Sequence, residues 1–91
     1  MDTLRERKLN FKHRLDIRGM RADEALQVLT LYLDDALLVG VGSVSILHGT
    51  GTGALRELVR RYVQTLKGVK SFHDEHVQLG GAGITIVEFD T

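Results

Sequence analysis

Apolar and polar positions divide the chain into segments of different period. Up to about Lys12 no period is sustained, and residues 1–12 read as a basic arm or linker remnant ahead of a domain over 13–91. His13 to Arg18 then alternates, with Leu15 and Ile17 on one side and Arg14, Asp16 and Arg18 on the other, as in a strand with one buried face. Gly19 stops it. From Ala22 to Val39, Ala25, Leu26, Leu29, Tyr32, Leu33, Ala36 and Leu37 follow the spacing of a helix packed on a core. Asp23 and Glu24 suit the positive end of its dipole, and Gly40 and Gly42 close it. Leu31 and Leu38 fall on its outer face, as a wide apolar arc or the edge of a partner interface.

Ser43 to Leu47 is a short strand, followed by the glycine-rich turn His48-Gly49-Thr50-Gly51-Thr52-Gly53. A second helix over about Gly53 to Leu66 buries Leu55, Leu58, Val59, Tyr62, Val63 and Leu66 and leaves Arg56, Arg60 and Arg61 largely off that stripe. Val69 to Phe72 predicts a third strand, His73 to Gly83 a polar loop, and Ile84 to Phe89 a fourth strand, β-branched enough to be central. Strands alternating with helices imply parallel pairs joined by right-handed crossovers. The expected architecture is an α/β two-layer sandwich of order β-α-β-α-β-β, with a four-stranded mixed sheet and two helices on one face. The last two strands, joined by the loop, are free to be antiparallel.

Composition bounds the chemistry. Ninety-one residues make one domain, and 43% hydrophobic with 26% charged residues is ordinary for a globular one. No apolar run approaches the ~20 residues of a membrane span, and no apolar stretch follows Met1 as in a signal peptide. The expectation is a soluble, cytoplasmic protein with no membrane partner. The absence of Cys removes disulfides, thiolate chemistry and Cys-ligated zinc.

Net charge is zero, 12 Lys plus Arg against 12 Asp plus Glu, yet it alternates in blocks. Residues 1–21 carry seven bases against three acids, 22–41 four acids and no base, 42–70 five bases against Glu57, and 71–91 four acids and no base. Such segregation gathers a local basic surface on a neutral protein, and a polyanion responds to the local patch.

In a parallel sheet the working crevice lies at the carboxyl ends of the strands. Asp16 and Arg18 end the first strand; His48 and its glycines end the second. If these strands are adjacent, one mouth collects a carboxylate, a guanidinium, an imidazole and a helix N-terminus. Backbone N–H groups from Gly49 to Ala54, including those of Thr50, Gly51 and Gly53, can hold a phosphate with help from the helix dipole. The planar fork of Arg18 matches phosphate geometry, and His48 is the proton carrier near neutral pH. Asp16 can orient His48, act as a base or hold a divalent cation, magnesium or manganese, although one carboxylate beside one His is a thin ligand set. The glycines also brush against a dinucleotide fingerprint, but the second doubly wound half is missing and no acid stands at the end of strand three. His73-Asp74-Glu75-His76 lies in a predicted loop that does not fix its histidines as metal ligands. His13 has no evident partner.

Three ordered stretches, LDIRG (15–19), HGTGTGALR (48–56) and GGAGITIVEF (80–89), resemble the small MutS-related domain, Smr, over about residues 13–90. The likeness is strongest to the form at the C-terminus of the second bacterial MutS paralogue. Many Smr domains carry His where this chain has Arg18, and Arg is typical of that paralogue. The resemblance implies a fold like the C-terminal domain of a translation initiation factor and nicking endonuclease activity on DNA, with RNA cleavage in some relatives. It marks Asp16, Arg18, His48, Gly49 and Gly51 as motif positions; where the family often has Lys inside HGxG, this chain has Thr50. The function expected is a structure-selective endonuclease that nicks branched or duplex DNA with Asp16 and His48. Arg18, Gly49, Thr50, Gly51, Gly53, Arg56 and Arg60 would hold the phosphates, within a parent that carries a MutS-like ATP-binding core and can form a homodimer. The alternative is an RNA-binding or RNA-cleaving module acting on ribosomal RNA at stalled ribosomes, without DNA nicking.

Overall fold

The structure, a computed structural model, describes Glu6 and residues 10–90; most of the predicted basic arm, residues 1–5 and 7–9, lies outside the described residues. Strand β1 spans Arg14–Asp16, helix α1 Ala22–Val39, β2 Ser43–Leu47, α2 Ala54–Val63, β3 Val69–Asp74 and β4 Ile84–Phe89. The sheet order is β1-β2-β4-β3. β1 and β2 are parallel, and β4 is antiparallel to both its neighbours. The second crossover therefore skips one position, and β4 returns to fill it. Its buried residues make it the central strand the sequence predicts.

α1 has the predicted bounds and buries Ala25, Leu29, Leu33, Ala36 and Val39. They meet Ile17, Val44, Ile46 and Val87 from the sheet and Val59 and Val63 from α2 in one core. Each fully buried aliphatic side chain contributes ~1.5–3 kcal/mol of transfer free energy, so Leu29→Ala alone would cost ~2–5 kcal/mol. Leu31 and Leu38 are exposed on the outer face. Phe11, assigned by sequence to the arm, stacks on Tyr32, whose hydroxyl donates to the Lys12 carbonyl at 2.6 Å. Among the described residues no helix is long and apolar enough to cross a membrane.

Three boundaries differ from expectation. β1 is shorter than His13 to Arg18, because the chain bends at Arg18, whose N–H turns back to the Asp16 carboxylate at 3.0 Å. α2 ends at Val63 rather than Leu66, where the Thr65 hydroxyl donates to the Tyr62 carbonyl at 2.7 Å and tightens the last turn. β3 continues past Phe72 through His73 and Asp74, paired to Ile86 and Thr85 of β4, so the predicted loop loses its first two residues. The rest forms two tight turns, Val77–Leu79 and Gly81–Gly83.

Candidate functional site

Parallel pairing brings the ends of β1 and β2 side by side, with Asp16 in register with Leu47. Side chains alternate between the sheet faces, so Asp16 and Leu47 take the open face. His48, two residues beyond buried Ile46, takes the helix face and is only 5% exposed. The single mouth expected to unite Asp16 with His48 is thus divided by the sheet itself, and Asp16 does not orient the imidazole.

Asp16 binds Arg18 instead. Arg18 Nε donates to Oδ1 at 3.0 Å, Nη2 to Oδ2 at 2.8 Å, and the backbone N–H to Oδ1 at 3.0 Å. These bonds, the guanidinium ones foremost, hold the carboxyl down at about 2 and raise the arginine in return. Both side chains are about half exposed, and the remaining Nη donors of Arg18 face outward, open to another acceptor.

His48 sits in an interior network. Nδ1 lies 2.7 Å from the Gly49 carbonyl and Nε2 2.8 Å from the Thr85 hydroxyl. A carbonyl only accepts, so the proton is on Nδ1 and the hydroxyl donates to Nε2. Arg60 Nη2 donates to the same hydroxyl oxygen at 3.3 Å, which leaves the Thr85 proton for His48. Burial pushes His48 below its ordinary 6.5; the Gly49 carbonyl opposes this, and the Arg60 and Arg56 charges add to it. The imidazole is neutral at pH 7, with both nitrogens engaged.

Between these two arrangements runs the glycine loop. Gly49 and Gly53 have φ of 78° and 83°, a left-handed backbone that a Cβ would strain. The Gly83 carbonyl accepts from the N–H groups of His48 at 3.1 Å and Gly49 at 3.0 Å, pinning the loop to the end of the β3–β4 connection. α2 starts at Ala54, whose N–H donates to Thr52 Oγ1 at 3.3 Å, and the Gly53 N–H before it donates to the Thr50 carbonyl at 2.8 Å. The N–H groups of Gly49, Gly53 and Ala54, expected to hold a phosphate, are thus already bonded within the chain. Arg18, Met20, His48, the loop from Gly49 to Gly53 and Arg56 line one open hollow, into which the positive end of α2 points. The stem of Arg18 crosses Gly49, where an added Cβ would lie 3.7 Å from its Cγ.

On the far side, Arg56 and Arg60 converge on Asp74. Each gives Nη2 to Oδ1, at 2.9 and 2.5 Å, and the Arg60 guanidinium lies over the Phe72 ring at 5.4 Å. Bonds from Arg56 hold the Asp74 carboxyl below the usual range. An acid does therefore stand at the end of strand three, contrary to the sequence reading. It does not restore a dinucleotide site, because β4 separates β3 from the glycine loop's strand and the arginines occupy the carboxylate.

The donor set does not fit a metal ion. Both Asp16 oxygens accept from Arg18, and among the described residues no three His, Asp or Glu side chains converge. His73 and Asp74 take opposite faces of β3, and His76 instead accepts the Gln78 N–H at 3.2 Å. His13 meets the Ser43 carbonyl at 3.2 Å.

Sequence reasoning missed Thr85, Asp74 and Gly83. Parity carries the signal for the first two: Thr85 alternates with buried Val87 and Phe89, and Asp74 with Phe72, so both point toward the helices.

This four-stranded α/β sandwich is the fold of the Smr domain, whose family model matches residues 15–90. The chain belongs to that family. Among curated proteins it is 50% identical over 74 residues to Endonuclease MutS2 of Geobacillus sp. (strain WCH70), covering 81% of this chain and 9% of that protein. It is 47% identical over 77 residues to Endonuclease MutS2 of Leuconostoc citreum (strain KM20), covering 85% and 10%. The chain thus spans about a tenth of the length of these relatives. The crystal structure of the Smr domain of Thermus thermophilus MutS2 superposes with a TM-score of 0.81 at 37% identity, over 86% of this chain and 98% of that one. YdaL, a stand-alone small MutS-related protein from Escherichia coli, shares the fold, with a TM-score of 0.74 at 20% identity over 98% of this chain and 76% of that one.

Proposed function

We propose that this domain binds the sugar-phosphate backbone of nucleic acid and nicks DNA, as one module of a longer MutS-like ATPase in the cytoplasm. The observation that carries the reading is the hollow that joins Arg18 to the first turn of α2 across the glycine loop. A phosphodiester there meets a planar guanidinium, the loop N–H groups of Thr50, Gly51 and Thr52, which have no acceptor among the described residues, and a positive helix end. The same groups stabilise charge that builds on the phosphate as the attacking oxygen adds. Asp16 remains ionised beside Arg18 and keeps its fork aimed. His48 acts through the loop, holding the Gly49 carbonyl inward, which leaves the Thr50 N–H of the same trans peptide directed away from the imidazole.

One observation favours a second reading, an RNA-binding module without DNA nicking. Asp16 is a weak base while Arg18 holds it, and His48 offers no free nitrogen, so no proton acceptor of suitable strength faces the hollow.

Incubation of the chain with supercoiled plasmid and with labelled single-stranded RNA, with and without EDTA, separates the two. Conversion of plasmid to open circles, lost in Arg18→Ala and Asp16→Asn, is expected. Intact plasmid together with salt-sensitive binding of RNA would establish the second reading, and failure to bind either polymer would overturn both. Several phosphate contacts would weaken affinity by roughly tenfold or more between ~50 and ~200 mM salt.

A further inference from the structure

The glycine loop accounts for one phosphate, but the strongest convergence of positive charge lies beyond it. Arg56 and Arg60 stand one helical turn apart on the flank of α2 that faces the end of β3, and both aim Nη2 at a single oxygen, Oδ1 of Asp74. Two planar forks, each able to grip two oxygens, thus share one carboxylate oxygen, with the Thr85 hydroxyl a longer second contact of Arg60 at 3.3 Å. Their Nε groups are buried and find no acceptor among the described residues. The cluster is nevertheless open at its outer side, where the Asp74 and Arg56 side chains are 43% and 37% exposed. Arg56 also lines the hollow with Gly49 to Gly53, so the arginine pair continues the phosphate track away from Arg18.

We propose that Arg56 and Arg60 form a second phosphate subsite, and that Asp74 is an internal counter-ion occupying it until a nucleic-acid phosphate takes its place. This rests on the nucleic-acid reading above and adds the residue that sets the ionic selectivity of the site. A lone small anion gains little by displacing a carboxylate already bonded to two guanidiniums. A polymer anchored at the glycine loop brings its next phosphate to the pair at high local concentration, and the exchange becomes favourable. Asp74 thereby biases the surface toward extended backbones over free phosphate or a mononucleotide. The carboxyl of Asp74, held below the ordinary 3.8 by the bonds from Arg56, is charged and therefore competing at neutral pH.

The test is affinity for a short fluorescein-labelled DNA duplex, with inorganic phosphate as competitor, for wild type, Asp74→Asn and Asp34→Asn. Asp34 is an exposed carboxylate on α1 and controls for the change in net charge. Asp74→Asn should bind about tenfold more tightly at low salt, because the phosphate no longer has to displace a carboxylate from the two guanidiniums. Free phosphate should compete better against it than against wild type. Asp34→Asn should change neither quantity appreciably. In an Arg56→Gln/Arg60→Gln background, adding Asp74→Asn should have no effect, because the carboxylate acts only through those guanidiniums. Melting curves report the folding of every variant, and Asp74→Ser repeats the test with a smaller side chain should the asparagine unfold the domain. Equal tightening by Asp34→Asn, or weaker binding by folded Asp74→Asn and Asp74→Ser, would overturn the proposal and leave Asp74 as a structural pin between α2 and β3. Absence of any duplex binding, in wild type and variants alike, would instead overturn the nucleic-acid reading beneath it.

Discussion

Asp16 with Arg18, and His48 with Thr85, are the two hydrogen-bonded pairs that flank the glycine loop, and they differ in one physical respect. The first lies on the open face with both side chains about half in water; the second lies inside, against Val87 and Ile46. An exposed ion pair exchanges partners with solvent or ligand at little cost, since water already shares its charge. A buried imidazole with both nitrogens bonded cannot exchange without leaving a donor or acceptor unmade. The contrast assigns different work to the two halves of the motif. Under the proposed function Arg18 is the group that meets the phosphate, whereas His48 is bonded to the loop at Gly49 and to Thr85.

Removal of His48 should produce the largest effect. His48→Ala strips a partner from the Gly49 carbonyl and the Thr85 hydroxyl and opens a cavity, at a cost of ~3 kcal/mol. For a domain of this size that lowers Tm on the order of 15 °C, read by circular dichroism. A loss as small as that of a surface substitution would erase the distinction between the two pairs. Thr85→Val comes next. It keeps the shape but leaves His48 Nε2 without a donor and removes the longer of two bonds from Arg60 Nη2, the one to Asp74 remaining, at ~1–2 kcal/mol or about 5–10 °C. Thr85→Ser should recover most of that loss. The ring ¹⁵N shifts of His48 should report a protonated Nδ1 and a hydrogen-bonded Nε2 in wild type, with the Nε2 signal displaced in the valine variant.

Acid should act on the interior pair before the exterior one. Unfolded His48 takes a proton near 6.5, whereas burial lowers that point in the folded chain. Below about 6.5 the unfolded state therefore binds more protons, and stability falls as pH falls; above it the full contribution is present. Asp16 and Asp74, lowered from 3.8, contribute at every pH above that value and lose their contribution only in stronger acid. Melting between about pH 7 and pH 5 thus isolates the histidine. Tm should decline across this window in wild type and decline less in His48→Gln, which has no such proton to bind. Parallel slopes in the two proteins would move the acid sensitivity elsewhere.

The parts of this arrangement legible in sequence are those set by local period. The stripe from Ala25 to Leu37 fixes α1 to the residue, and the alternation in SVSIL with the β-branched run in ITIVEF fixes β2 and the central β4. β3 runs two residues past its apolar stretch: His73 and Asp74 are polar, and only their ladder to Ile86 and Thr85, some ten residues away in sequence, keeps them in the sheet. The motif residues are visible in the sequence, but the face each takes depends on strand parity and register together. Counting by two from Val44 and Ile46 places His48 with the core, and the register of Asp16 with Leu47 places the carboxylate on the opposite side. That register depends on how two strands thirty residues apart are aligned, which no local pattern contains.

Asp16→Asn is the smallest change and the sharpest test of the exterior pair. The amide keeps the size of the side chain and an oxygen for the Arg18 backbone N–H, so Tm at neutral pH should scarcely move. Binding should respond by two opposed effects. Loss of the negative charge leaves the Arg18 guanidinium uncompensated and draws a phosphate more strongly, while loss of the two-pronged bond lets the fork swing away from the hollow. Charge acts at a distance and orientation only at contact, so affinity should hold or rise slightly while plasmid nicking, which needs the aimed fork, falls steeply. Arg18→Lys supplies the complementary case, keeping the charge and removing the planar fork, and should likewise bind without nicking. The ¹³C titration of the Asp16 carboxyl in wild type closes the comparison: a midpoint at about 2 is expected from the bonds it accepts, and one near the ordinary 3.8 would mean that in solution the pair is open and Arg18 is not aimed.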